Sequence, residues 1–123
     1  MTAYVRVKNL DRQAHDPVRV ALCDTLLSRL RGLMGRSQLH PDEGVLLVGD
    51  RDSRADAAIH MLFVPFDLAV FWIDAEMKVV DKIVARSWRP AYVPRSAARY
   101  VLELHPDHFP AYDVGNKVII VNA

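Results

Sequence analysis

The sequence predicts a mainly β domain of the α+β class: a compact, barrel-like, mostly antiparallel sheet with one prominent α-helix. Three observations carry this. The stretch Ile59 to Asp74 is the most apolar in the chain and reads as the core of the fold. Seven or eight short runs of β-branched, aromatic or alternating residues are separated by turn formers, as in an all-β meander. Only one segment, Leu26 to Met34, has its apolar residues at helical spacing.

In chain order, Ala3 to Leu10 alternates with period two, Tyr4, Arg6 and Lys8 facing one way and Val5 and Val7 the other, as a half-exposed strand does. The polar segment Asp11 to Pro17 turns the chain into a second strand, Val18 to Cys23, and the two are expected to pair as a hairpin. Asp24 or Thr25 can cap the helix, whose apolar positions are Leu26, Leu27, Leu30, Leu33 and Met34. Arg29, Arg31 and Arg36 occupy its other face, either as a solvated surface or as an anion site, and Gly35 is placed to end it in the left-handed conformation. Gly32 inside the helix costs about 1 kcal/mol relative to alanine, which a close backbone approach would explain.

After a polar loop comes a short buried strand, Val45 to Val48, and a charged surface turn, Asp50 to Asp56. Pro65 then splits the apolar stretch, because it lacks a backbone donor. Ala57 to Val64 reads as one strand, and Phe66 to Ile73 as another buried on both faces. Asp67 is the exception in that run; a carboxylate there belongs at the strand mouth or on hydrogen-bond donors. Asp74 to Met77 is a hairpin connection into Lys78 to Ala85, where broken alternation at Val80, Ile83 and Val84 predicts a bulge. Ser87 to Pro94, with two prolines and two aromatics, should fold back across the barrel mouth or a groove. Arg99 to Leu104 resumes a strand, His105 to Tyr112 is irregular or one helical turn, and Lys117 to Val121 closes the sheet.

At 123 residues the chain suits one domain, residues 1–123, with one ordinary core. Sixteen basic against fifteen acidic side chains leave a net charge of +1, so there is no electrostatic case for nucleic acid or an anionic membrane as a partner. The single cysteine, Cys23, sits in an apolar run and reads as a core residue. No long apolar leader or spanning segment occurs, so a cytoplasmic, soluble protein is expected.

The segments Arg31 to Arg36, Asp42-Glu43-Gly44, Ile59-His60-Met61 with Pro65-Phe66-Asp67, Ala98 to Leu104 and Val114 to Val118 resemble, in the same order, the prokaryotic family known as domain of unknown function 192 (DUF192). The resemblance covers about residues 18 to 121 and implies a compact β-rich domain with one prominent helix and no established activity. The family commonly has Gly-Asp where this chain has Gly115-Asn116, which puts in doubt any role of that acid here. Many members look exported or lipid-anchored, whereas this chain shows no such leader.

The candidate functional residues are His60, Asp67, Arg99 and Glu103, which the sheet can bring to one end. Histidine beside a carboxylate can act as a general base, and arginine can hold a carboxylate or phosphate by two hydrogen bonds. The structural alternative is that Asp67 or Glu103 pairs with Arg99 to fix strand register. No recognised catalytic motif occurs: the phosphate-binding loop, dinucleotide fingerprint, zinc-protease helix and Gly-x-Ser-x-Gly are all missing. His105-Pro106-Asp107-His108 has no second ligand cluster, so neither a metal nor a cofactor is expected. Trp72 reads as core.

Three functions follow. The first is a binding or accessory module whose groove under Trp88, Tyr92 and Pro94, edged by His60 and Arg99, takes a small anionic ligand or a peptide. The second is a hydrolase or transferase using His60 with Asp67 or Glu103. The third is a structural or partner-docking domain, with an exposed apolar patch.

Overall fold

The computed structural model describes residues 2–12 and 16–123, with the side chains of Leu26 and Leu30 also outside the description. Residues 13–15 of the expected first turn therefore lie outside the described residues. The chain forms the strands β1 (Tyr4–Asn9), β2 (Arg19–Cys23), β3 (Gly44–Ser53), β4 (Leu68–Ile73), β5 (Val79–Ala85), β6 (Ala98–Leu104) and β7 (Val118–Asn122), with helix α1 (Leu26–Arg31) after β2 and a short 3-10 helix, Pro106–Ala111, after β6. The seven strands make one sheet in the order β5-β4-β6-β3-β2-β1-β7, antiparallel except for the β2–β3 pair. The sheet curls into a half-barrel. Its two edges touch where Lys78 bridges Lys117, secured by the Val79 N–H on Asn116 O and the Val118 N–H on Met77 O, both 2.9 Å. This is the barrel-like, mostly antiparallel β fold with one α-helix that the patterning predicts.

β4 is the axis of the core, and every residue from Leu68 to Ile73 is buried. Its alternate side chains enter two separate clusters, as a strand covered on both faces requires. Ala69, Phe71 and Ile73 pack inside the half-barrel with Val5, Val7, Leu102 and Tyr112. Leu68, Val70 and Trp72 pack on the other face with Leu47, Met61, Val64 and Val101. The Trp72 indole N–H, buried with its ring, donates to Ala57 O at 2.8 Å.

Four details differ from the patterning. The segment from Ala57 to Val64 is not a strand: it makes a single antiparallel bridge, Ile59 with Tyr92, and then turns, with Phe63 in the left-handed region. It lies over the sheet instead of in it, which buries Ala57, Ile59, Met61 and Val64 while Leu62 and Phe63 stay exposed. α1 is only six residues long, capped by Thr25 in a capping box with Ser28. Gly32, at φ +46°, ends the helix, and Leu27 is 77% exposed instead of facing the core. β3 continues through Asp50 to Ser53, where a surface turn was expected, with a register break between Val48 and Ser53 against β6. The bulge expected near Val80 is present, since Trp72 opposes Asp81 and Ile73 opposes Val79.

Ser87 to Pro94 folds back onto the 57–64 segment, and its Trp88, Tyr92 and Pro94 do not line the cavity. Met61 N–H donates to Arg89 O and Trp88 N–H to Met61 O, so the two irregular segments brace each other over the second cluster. Asn116 accepts the Asp113 N–H and the Asn9 amide through its side-chain oxygen, both at 2.8 Å. An aspartate at this position would offer the same acceptor.

Candidate functional site

On β6, Arg99, Val101 and Glu103 are alternate residues and share the face that carries the second cluster. Across the same face, Val45 opposes Glu103 and Leu47 opposes Val101 on β3. The end of α1, the first bends after β3 and the 57–64 segment roof this ground. Between roof and sheet lies a cavity of about 390 Å³. Its middle is apolar, walled by Leu33, Leu47, Met61, Val64, Leu68 and Val101, and its polar groups are Arg29, Arg31, Asp50, Arg51, Asp56, His60, Arg99 and Glu103. Ligand sites are commonly of this size and makeup.

Glu103 is the one charged residue fully in the core of the described residues, 4% exposed. Its carboxyl makes no hydrogen bond or ion pair with another described residue, and burial alone pushes its pKa up to about 7. A Cβ on Gly32 would lie 3.3 Å from Glu103 Oε1, so the glycine that closes α1 is also what leaves room for this carboxyl. The close approach expected at Gly32 is thus to a side chain, not to backbone.

Arg29 reaches from α1 along the cavity toward Gly49, where a Cβ would lie 3.7 Å from its Nη1. Its Nε is buried with no hydrogen-bond partner among the described residues. Arg99 Nε–H donates to Gly49 O at 3.0 Å, so both guanidinium groups gather at the same level of β3. Arg51 is engaged with Asp56 at 3.9 Å. The remaining lining charges are three arginines, Arg29, Arg31 and Arg99, against Asp50 and Glu103. Arg36, the third arginine of the expected helix face, lies elsewhere on a salt bridge to Glu43, which with the His40 N–H holds that carboxyl below its usual range.

His60 lines the cavity, and its Nδ1 accepts the Leu62 N–H at 3.2 Å. Asp67 does not line it. Asp67 accepts the Ser87 N–H and pairs with Arg86, each at 2.9 Å, and the Ser87 bond in particular keeps its pKa low. Its work is to tie the 86–92 segment to the start of β4. Trp88 and Tyr92 also stand outside the cavity: Trp88 is 53% exposed and meets Phe63 edge to face at 5.3 Å, while the Tyr92 hydroxyl accepts the Arg86 N–H. His105 and His108 are occupied by the Asp107 N–H and Pro41 O. The Cys23 thiol is buried, its pKa raised first by burial and then by Glu103 and Asp24, so it is protonated and inert at neutral pH.

Of the sequence candidates, then, His60, Arg99 and Glu103 come together, and Asp67, Trp88 and Tyr92 do not join them. Arg29 is the residue that the site adds. Its signal was the basic face of the helix, where anion binding and solvation were indistinguishable without knowing that the sheet passes beneath.

The family model DUF192, described as Uncharacterized ACR, matches residues 7–120. The chain is 40% identical over 85 residues to a UPF0127 protein of Thermococcus kodakarensis, covering 69% of this chain and 52% of that one. To a UPF0127 protein of Thermococcus gammatolerans it is 42% identical over 84 residues, 68% and 53% of the two chains. The chain spans about half the length of these curated relatives. Among solved structures, a candidate transcription regulator from Sinorhizobium meliloti superposes with a TM-score of 0.82 at 22% identity, covering 97% of this chain and 93% of that one. A protein of unknown function from Novosphingobium aromaticivorans gives 0.78 at 18% identity, covering 96% and 84%. At these identities the likeness is one of fold alone.

Proposed function

We propose, for a chain that belongs to the DUF192 family, the role of a binding module that holds a small anionic molecule in the cavity between α1 and the sheet. The observation that carries this reading is Arg29, whose buried Nε has no partner among the described residues while its guanidinium and that of Arg99 both gather at Gly49. Buried guanidinium donors are costly to leave unmade, and an incoming carboxylate or phosphate supplies the acceptors. His60 and Arg99 keep the ligand-side roles that the sequence suggests for them. Trp88 and Tyr92 act at one remove, by bracing the 57–64 roof.

The test is a thermal-shift titration with hexanoate and with inorganic phosphate, on the wild type and on Arg29→Ala. Saturation at 100 times the dissociation constant adds about 2.7 kcal/mol to stability. An upward shift that disappears in R29A supports the reading. Absence of any shift in the wild type, or an equal shift in R29A, refutes it.

One observation favours a second reading. A carboxyl at about 7, facing a cavity that His60 also lines, suits a general base acting on water. In this reading Glu103 takes a proton from a water molecule, which attacks the bound ester or amide carbonyl directly. Turnover of a bound ester or amide that vanishes in E103Q while affinity persists would select this reading over simple binding.

A further inference from the structure

Glu103 is the feature that anion binding does not use. A buried carboxyl is expensive unless donors meet it, and burial is what raises the pKa of Glu103, so a donor brought into the cavity would be favourable there. The Arg29 guanidinium and the Glu103 residue belong to different levels of the sheet. Gly49, which receives the Arg99 N–H and adjoins the Arg29 guanidinium, lies four residues along β3 from Val45, the residue opposite Glu103. On β6, Arg99 and Glu103 are likewise four residues apart, a rise of about 14 Å. Taking off one charge-assisted hydrogen bond of about 2.8 Å at each end leaves about 8 Å between the poles of an occupant. Between those poles the sheet itself presents only Val101 and Leu47, opposite each other on β6 and β3, and Leu33 and Met61 add further apolar lining. A peptide backbone laid there would leave its amides without partners, whereas methylene groups would not.

Resting on the anion-binding reading, we infer that the occupant is a bipolar aliphatic molecule of the ω-amino acid type, its carboxylate on Arg29 and Arg99 and its ammonium on Glu103. Arg29 and Glu103 then solve each other's problem through the ligand: the Arg29 Nε is buried with no acceptor among the described residues, the Glu103 side chain is buried, and no ion pair joins the two. Because the Glu103 pKa lies near neutrality, the arriving ammonium meets a group that ionises readily at physiological pH.

Calorimetric titration of the wild type with 6-aminohexanoate, hexanoate, hexylamine and 3-aminopropanoate tests this. The ω-amino acid of matching length should bind at least tenfold more tightly than hexanoate. The short 3-aminopropanoate, unable to reach both ends, should bind no better than hexanoate. Glu103→Gln should lower the affinity for 6-aminohexanoate to that for hexanoate and leave hexanoate itself unweakened, with an unimpaired melting curve verifying the fold. If E103Q does not fold, the chain-length series on the wild type decides alone. Equal affinities for hexanoate and 6-aminohexanoate in the wild type overturn the inference while a loss of hexanoate binding in R29A still upholds anion binding. Binding of triglycine in preference to 6-aminohexanoate overturns the aliphatic spacer in favour of a peptide. Failure of all these compounds to bind overturns both readings.

Discussion

Two carboxylates of similar sequence prospects, Asp67 and Glu103, end in opposite situations, and pH separates them. Asp67 is held by a backbone N–H and an arginine, so its folded pKa is lowered; its contribution is present above the unfolded value and fades as pH falls through the folded one. Glu103 is the reverse. Its folded pKa, about 7, lies above the unfolded value near 4.5, so the folded state binds the extra proton between the two and stability falls as pH rises across that window. The full loss above pH 7 is about 3 kcal/mol, at 1.36 kcal/mol per pH unit. Glu103→Gln should therefore remove most of the decline seen in wild-type stability between pH 5 and pH 8, and E103Q should melt above the wild type at pH 8, by roughly 10 °C for a chain of this size. Chemical denaturation of both proteins at a series of pH values measures this. A wild-type curve that rises steadily to pH 8 would contradict the burial of an unpaired Glu103. Which carboxylate would be buried was not legible in the sequence, since both lie in apolar runs. Period two places Glu103 on the same face as Val101, but it does not say which face is roofed.

The strands were legible and the roof was not. Alternation in β1, the continuous apolar run of β4 and the broken period in β5 each report how many faces a strand buries and where it bulges. Ala57 to Val64 has the same composition as a strand because it too buries apolar side chains, yet it does so by lying on a sheet whose hydrogen bonds are already taken. Composition reports burial, and only tertiary pairing decides between the two. α1 shows the same limit: its six residues give too few turns for an apolar stripe, and its position depends on the Thr25–Ser28 capping box and on Gly32. Thr25→Ala removes the acceptor of the Ser28 N–H and should cost about 1 kcal/mol. Because Arg29 rides on this helix, the same variant should also weaken anion binding at the cavity, measurable in the hexanoate titration; unchanged affinity would mean that Arg29 is placed without the helix.

At the scale of the molecule, most tertiary contacts join distant parts of the chain. Successive strands meet in β1–β2, β4–β5 and, across α1, β2–β3, while β4–β6, β3–β6 and β1–β7 pair strands that are not successive. Sheets dominated by such pairings fold in milliseconds to seconds. Stopped-flow refolding should show this range, and a microsecond phase that recovered all the native signal would be incompatible with the topology. The β1–β7 pairing carries a further consequence for synthesis. β1 runs from Val5 to Asn9 against residues Val118 to Asn122, and the Tyr112 hydroxyl and Asn116 amide also anchor on Val7 and Asn9. At a ribosomal rate of about 5–20 residues per second, β1 emerges roughly 5–20 s before its outer partner exists. Through that interval its outer edge stays open and Val5 and Val7 lack the half-barrel interior that buries them. The growing chain is thus open to wrong pairing at β1 throughout that interval, and the exposure ends when β7 is made.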